Sequence, residues 1–156
     1  MGLFPRLDTI RVIQWDAMWC AGAPCPIVLA GDHSLTLLYY GTKDESDQVW
    51  IVSFHRPHAH MFSGINDESL SGHRLYGKGL EFYSAHVVDN SSWLKEIRSI
   101  HSVHNHYRAE NWSKTKHYVL CFHDNLIEVL AEGYTTTERS GSPAQVLKDI
   151  IGQVKL

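Results

Sequence analysis

The chain has 156 residues, 44% of them hydrophobic and 20% charged, which suits one domain with a full hydrophobic core and excludes a disordered protein. With 17 acidic and 14 basic side chains the formal net charge is -3, and no basic stripe is present, so we expect no nucleic-acid partner. No apolar run approaches the roughly 18 residues of a transmembrane helix, and the three cysteines are an odd number. We therefore expect a cytoplasmic protein with reduced thiols and no membrane partner.

The first half of the chain predicts three strands, after 25 residues that fit neither the strand period nor the helix period. PIVLAGD and SLTLLYYG are short apolar runs separated by the turn signal Gly31-Asp32, which is typical of a β-hairpin. VWIVSF is apolar on both faces and predicts a central strand. Residues 56–78 are rich in glycine and turn signals, and long loops inside compact domains are often functional.

The middle of the chain predicts one more strand and a helix. KGLEFYSAHVVD has the composition of a strand, and NSSWLKEIRSIH begins with helix-capping residues. Apolar side chains from Trp93 to Ile100, with His104 after them, fall on one helical stripe, so we expect a helix near 92–104.

The C-terminal part predicts a hairpin and a second helix. KHYVLCFHDNLIEVLAEGY has two strands around a two-residue turn at Asp124-Asn125. SPAQVLKDIIGQVKL predicts a helix near 143–155, with Ser142 as N-cap and Gln145 completing a capping box. The sum is a single α+β domain over residues 1–156, an antiparallel β-sheet packed with two or three helices.

Two histidine-rich stretches, HRPHAH (His55–His60) and HSVHNH (His101–His106), share the same spacing. Their flanking sequences differ, so they do not form an internal repeat. On an extended backbone His58 and His60 share a face, and on a helix His101 and His104 share one, so either pair could supply two ligands to a metal. A structural zinc site needs four ligands and a catalytic one usually three, and no cysteine pair lies nearby. A solvated histidine-rich loop is therefore favoured, and we assign no metal ligands.

One face of the predicted C-terminal hairpin is entirely apolar. With a two-residue turn, Phe122 pairs with Ile127 and Leu120 pairs with Val129. These side chains, together with Tyr118, point to one side of the sheet. We expect this side to lie in the hydrophobic core.

The other face of the hairpin mixes imidazole, carboxylate and thiol groups. Cys121 is predicted opposite Glu128, His117 opposite Glu132, and His123 diagonal to Glu128. A carboxylate beside an imidazole can raise its pKa and orient its tautomer, so this mixture fits the wall of a cleft. A half-exposed sheet with two His–Glu pairs accounts for the same pattern, and a shift in register would break the pairings.

Three strings, SGHRLYGKGL, NSSW and HYVLCFHD, resemble a group of small bacterial proteins that has no assigned activity. The shared patterns are G-H-x-L-Y-G-x-G-L, N-S-S-W and H-[FY]-x-x-x-F-H-D, and the match runs from about Asn66 to Glu128. His73, His117 and His123 lie inside these strings. The resemblance implies a bacterial origin and directs attention to the hairpin face and the loop around His73.

Two classes of function follow. The first is a small binding or protein-interaction module, of an immunity or regulatory type, with a protein partner or a small-molecule ligand. It rests on the long loop and on aromatic residues such as Tyr76 and Tyr83, because tyrosine and tryptophan are favoured interface anchors.

The second class is a small enzyme, with a metal-assisted hydrolase as one form. His123 and Glu128, with His117 or His73, would act as acid–base groups or metal ligands. No G-x-S-x-G motif or other complete catalytic set is present, so the binding module leads, and no cofactor is assigned.

Overall fold

The computed structural model describes residues 7–42 and 47–153. Two α-helices lie in these ranges, α1 (Ser92–His101) and α2 (Pro143–Gln153), with short 3-10 turns at Leu70–Gly72 and Ala109–Trp112. The strands of the described ranges are β1 (Thr9–Val12), β2 (Ile27–Ala30), β3 (Leu35–Tyr40), β4 (Gln48–His55), β5 (Ala59–Ser63), β6 (Ala85–Asp89), β7 (Lys116–Cys121), β8 (Leu126–Ala131) and β9 (Gly133–Ser140).

The strands form two antiparallel sheets. One has five strands in the order β1-β6-β7-β8-β5, and the other has four in the order β2-β3-β4-β9. The chain passes from one sheet to the other between β1 and β2, between β4 and β5, and between β8 and β9. The predicted α+β class with antiparallel strands is confirmed, and the strands divide between two sheets.

The main core lies between the two sheets, where alternate side chains of both meet. Phe122 is 2% exposed, and its ring centroid lies 4.6 Å from that of Trp19 and 5.2 Å from that of Tyr39. The Tyr39 hydroxyl accepts a hydrogen bond from Trp15 Nε1 and donates one to the Ala17 carbonyl, so the polar groups of Trp15 and Tyr39 are paired. This is the apolar face that the hairpin pattern predicts.

Each sheet also has a covered outer face. Helix α2 packs Val146 against Leu38 and Val49 of the four-stranded sheet. The outer face of the five-stranded sheet is covered by residues 64–84, called the covering loop below, which contributes Leu70, Leu75 and Leu80. Sheet residues such as Val119 and Cys121 are buried under this loop, so the five-stranded sheet is covered on both faces.

The far end of the covering loop is held by two close contacts. Gly79 has φ +115°, and a Cβ atom there would lie 2.2 Å from the Ile10 carbonyl oxygen, so only glycine fits. The buried imidazole of His86 accepts a hydrogen bond from the Glu81 N–H at Nε2, and its Nδ1 donates to the Val119 carbonyl. Burial lowers the pKa of His86, which favours the neutral ring that this pair of bonds requires.

The predicted register of the C-terminal hairpin is wrong by two residues. Leu120 pairs with Ile127, and Cys121 with Leu126. The turn is not Asp124-Asn125 alone but the four residues 122–125, closed by a hydrogen bond of 2.9 Å from the Phe122 N–H to the Asn125 carbonyl. Because the shift is an even number, each side chain keeps the face assigned to it.

Several element boundaries also differ from the sequence prediction. KGLEFYSAHVVD is a strand only over Ala85–Asp89, since Gly79 and Tyr83 have positive φ angles. Strands β1, β5 and β9 were not predicted. Helix α1 ends at His101 rather than near residue 104, and Ile100 on its predicted apolar stripe is 59% exposed.

Helix α2 matches its prediction except at the capping box. The Gln145 N–H donates to Ser142 Oγ at 3.1 Å, but the Gln145 side chain bonds Asp149 instead of returning to the cap. The expected end of this helix at residue 155 lies outside the described residues. Neither α-helix in the described ranges has the length and apolar content needed to span a bilayer.

We predict that Phe122→Asp prevents cooperative folding. The carboxylate would lie unpaired between the sheets, at a cost of about 4 kcal/mol or more, which is a large part of the stability of a small domain. Thermal unfolding followed by circular dichroism measures this. Phe62→Asp is the matched control, because Phe62 is 42% exposed and its variant should melt close to the parent. Parent-like melting of Phe122→Asp would show that the face assignment is wrong.

Candidate functional site

The predicted site centres on Glu128, whose carboxylate is buried beneath the covering loop with 2% of the residue exposed. Arg74 of the covering loop donates two hydrogen bonds to it, from Nη1 to Oε2 at 2.8 Å and from Nη2 to Oε1 at 2.7 Å. His117 Nε2 lies 2.9 Å from Oε1, and His73 Nε2 lies 3.4 Å from Oε2. We call these four residues the Glu128 clamp, because they join the covering loop to β7 and β8.

The Glu128 carboxyl is ionised. Burial by itself raises its pKa, but hydrogen bonds from His117, His73 and Arg74 outweigh burial and hold the pKa well below its ordinary value of 4.5. An ionised carboxylate only accepts hydrogen bonds, so His117 Nε2 must carry a hydrogen. This fixes the orientation of the His117 ring and leaves its Nδ1 atom to face another partner.

That partner is Ser91, which sequence reasoning did not include among the site residues. Ser91 Oγ lies 2.7 Å from His117 Nδ1 and accepts a hydrogen bond from the Leu94 N–H, so it also caps α1. The capping pattern of NSSW predicts the helix start. It carries no signal that a histidine on β7 would lie against the cap, since that contact depends on tertiary packing.

The chain Ser91–His117–Glu128 has the hydrogen-bond order of a nucleophile, base and acid. Ser91 is 4% exposed and His117 is 1% exposed, and the carboxylate is already paired with Arg74. The three strings of the resemblance, which lie at residues 71–80, 90–93 and 117–124, supply His73, Arg74, Ser91 and His117 to this one network.

His123 lies away from Glu128, and the predicted diagonal contact between them is wrong. The four-residue turn carries His123 beyond the last strand pair, where its Nδ1 is 2.8 Å from Asp124 Oδ1 and its Nε2 is 3.7 Å from Asp67 Oδ2. The Asp124 hydrogen bond raises the pKa of His123. Of the four predicted site residues, His73, His117 and Glu128 meet and His123 does not.

The other predicted cross-strand pairs also change. Cys121 faces Leu126 rather than Glu128, and burial raises the pKa of its thiol to about 12, so it stays protonated and unreactive. His117 pairs with Leu130 rather than Glu132. The Glu132 carboxylate instead lies 3.2 Å from the Arg56 guanidinium.

The two histidine-rich stretches meet in space, which their sequence separation of more than 40 residues did not indicate. They line one cavity of about 290 Å³, called the histidine–arginine cavity below. His58 stacks on Trp112, with ring centroids 3.9 Å apart and an angle of 19° between the planes. The charged or ionisable side chains of the cavity are Arg56, His58, His101, His104, His106 and Arg108.

No group of three or more histidine, cysteine, aspartate or glutamate side chains within residues 7–42 and 47–153 is arranged to hold a metal ion. In the histidine–arginine cavity, Arg56 and Arg108 add positive charge that disfavours a bound cation. Comparisons of the chain with protein-family models, with curated proteins and with solved structures found no match.

We predict that Arg74 and Glu128 are energetically coupled. Removal of one partner leaves the other charge unpaired, and because the Arg74 side chain is 44% exposed we expect a coupling of about 1–2 kcal/mol, less than for a fully buried pair. Urea unfolding of Arg74→Met, Glu128→Gln and the double variant measures it.

The matched control for this cycle is the exposed pair Arg11–Asp89, whose side chains are 57% and 46% exposed. The cycle of Arg11→Met and Asp89→Asn should give a coupling of about 0.5 kcal/mol or less, as surface pairs do. Equal couplings for the two pairs would mean that the Glu128 clamp does not hold the covering loop.

Proposed function

We propose that this protein is a protein-interaction module, which binds an extended segment of a partner protein along β5. The observation that carries the proposal is the composition of this edge strand. β5 is the last strand of the five-stranded sheet and pairs with β8 on one side, so within the described residues its other backbone edge is open. An open edge is a ready template for another strand.

Strand β5 lacks the devices that normally protect an edge. Its sequence AHMFS contains no lysine and no proline, and its one ionisable residue is His60. Met61 is 38% exposed and Phe62 is 42% exposed, so each face of the strand presents an apolar side chain to solvent. A strand added at this edge could cover both side chains while it pairs with the free backbone groups.

The chain that follows β5 lines a cleft with aromatic walls and acidic groups. After β5 the chain reaches Asp67, whose N–H donates to the His123 carbonyl at 3.0 Å. Here a cleft of about 360 Å³ is lined by Asp67, Glu68, Phe82 and Tyr83. Phe82 is 46% exposed, and the Tyr83 hydroxyl bonds the Asp67 carboxylate, which fixes one wall.

The chemistry of this surface selects the partner. Exposed rings beside two carboxylates favour apolar side chains that are followed by lysine or arginine. We therefore propose an extended segment that pairs with β5 and places a basic residue in the cleft. The Glu128 clamp supports the binding, because it holds the covering loop in place before the partner arrives and lowers the entropy lost on association.

A binding function is preferred to an enzymatic one, because the side chains of Ser91, His117 and Glu128 are buried and already hydrogen-bonded to one another and to other groups of the chain. A cleft of about 260 Å³ does reach Ser91 and His117 from the side of α1. However, Ser91 Oγ already accepts the Leu94 N–H and contacts His117, and Arg74 occupies the carboxylate of Glu128. The network therefore suits a structural role. A cytoplasmic location belongs to the same proposal and is supported by the free thiols of Cys20, Cys25 and Cys121.

We predict that a ten-residue synthetic peptide of alternating valine, tyrosine and lysine binds at β5. In ¹⁵N NMR titrations it should shift the amide signals of residues 59–67 and 82–83, and the same peptide with glutamate for lysine should not. Phe62→Lys should weaken binding at least tenfold, because it places a cation against a basic partner. Thr137→Lys on β9, an edge strand of the other sheet, should leave binding unchanged.

Three outcomes would contradict the proposal. The lysine peptide could leave the spectrum unchanged at millimolar concentration, or its shifts could lie at β9. The third is a stable dimer of this chain through β5 that excludes the peptide, since the edge would then belong to a second copy.

A further inference from the structure

The histidine–arginine cavity is built by segments that are far apart in the chain. Arg56 and His58 come from the turn between β4 and β5, where Arg56 has φ +47°. His101 ends α1, and hydrogen bonds from the His104 N–H to the His101 carbonyl and from the Tyr107 N–H to the His104 carbonyl then fold the chain into successive turns. These turns place the second histidine-rich stretch opposite the first.

Trp112 fixes the floor of the cavity. It is 6% exposed, and its ring stacks against His58 and lies 5.1 Å from the ring of His101. The two stretches are therefore held against one buried aromatic ring. A preformed wall of this kind is typical of ligand pockets.

The charge of the cavity has one sign. Two guanidinium groups and four imidazoles line it, and none of its described lining residues is acidic. Among the described residues, the carboxylate that forms an ion pair with these groups is Glu132, whose Oε1 lies 3.2 Å from Arg56 Nη1. With one carboxylate and two guanidinium groups the net charge at the cavity is positive, and a positive charge attracts an anion and repels metal cations.

One polar atom of the cavity residues has no partner. His58 Nε2 is buried, and no hydrogen-bonding group of the described residues reaches it. This nitrogen has almost no accessible surface, so a group in the cavity would act on His58 through its charge and not through a hydrogen bond to Nε2. An anion in the cavity would offset the positive charge of Arg56 and Arg108.

We propose that the histidine–arginine cavity is a second binding site, which takes a phosphate group. Guanidinium groups bind phosphate oxygens through paired hydrogen bonds, and phosphate carries about 1.5 to 2 negative charges at pH 7. The cavity volume of about 290 Å³ lies at the small end of ligand pockets and suits free phosphate or a small organic phosphate monoester. This site is independent of the β5 edge.

Binding at this site takes up a proton. Burial, the positive charge of Arg56 and the nearby His101 lower the pKa of His58, while Glu132 acts in the opposite direction. The ring that stacks on Trp112 is therefore largely neutral in the free protein near pH 7. A phosphate dianion favours the charged imidazole, so it raises the pKa of His58 and binding of the dianion is accompanied by proton uptake on His58.

Isothermal titration calorimetry of the full chain with inorganic phosphate and with phenyl phosphate tests the proposal. Each should bind at one site per chain. Phenyl phosphate, whose second pKa of about 6 makes it mostly dianionic at pH 7, should show proton uptake in two buffers of different ionisation enthalpy. Arg108→Met should weaken binding at least tenfold. Arg139→Met, an exposed arginine on β9, is the matched control and should have no effect.

His58→Phe separates the ionisation of His58 from its packing, because phenylalanine can still stack on Trp112. This variant should fold and should bind phenyl phosphate without proton uptake. Tighter binding of phenyl phosphate identifies an organic monoester as the ligand, and equal binding identifies phosphate itself.

The proposal is overturned if neither probe binds at 10 mM, a concentration on the order of the weakest specific affinities, or if Arg108→Met binds as the parent does. Stoichiometric zinc binding that is lost in His58→Phe would also overturn it. Phe62→Lys should bind phosphate as the parent does. The proposal that β5 binds a peptide and the proposal that this cavity binds phosphate can therefore fail independently.

Discussion

The ion pair between Arg74 and the buried Glu128 carboxylate is the constraint on which the arrangement of the molecule depends. A lone carboxylate at that depth would be too costly to bury, so it must be paired. Arg74 supplies two hydrogen bonds, and His117 and His73 approach the same carboxylate. The pair joins a segment without regular strands to the centre of a sheet. The loop can then cover apolar residues that would otherwise face water.

The surface proposed for the partner is a consequence of this attachment. The covering loop begins where β5 ends, and the aromatic cleft is formed by residues from both of its ends, Asp67 and Tyr83. Their side chains are hydrogen-bonded to each other, and the Asp67 backbone is bonded to the hairpin turn. A change in the Glu128 clamp should therefore reach the cleft through the loop. The cavity beside Trp112 depends on other segments and should not respond.

The faces of the C-terminal hairpin could be predicted from sequence, and its pairs could not. Side chains of a strand alternate between its two faces, so the order of residues along each strand is enough to predict the apolar face of Phe122 and the mixed face of His117 and Glu128. The register depends on turn length, and FHDN does not distinguish a two-residue from a four-residue turn. The two-residue shift removed the contact of His123 with Glu128.

Contacts between residues that are far apart in the chain could not be predicted from the local sequence. Arg74 lies 54 residues from Glu128, and a charged residue in a glycine-rich loop is usually solvent-exposed. His58 and the second histidine-rich stretch meet because the β4–β5 turn and the end of α1 lie at the same end of the sheets. Strand β5 was missed because its short AHMFS run follows a proline and has weak alternation.

The most direct test of the central claim is an NMR titration of the Glu128 side-chain carboxyl, labelled with ¹³C. Hydrogen bonds from His117, His73 and Arg74 lower its pKa below that of the unfolded chain, so its contribution to stability is present above pH 4.5 and is lost as the pH falls below that value. We expect the Glu128 signal to stay unchanged down to about pH 3, while exposed glutamates titrate near their ordinary pKa of 4.5. A Glu128 transition at that ordinary value would contradict the account, because the carboxylate would then be neither paired nor buried.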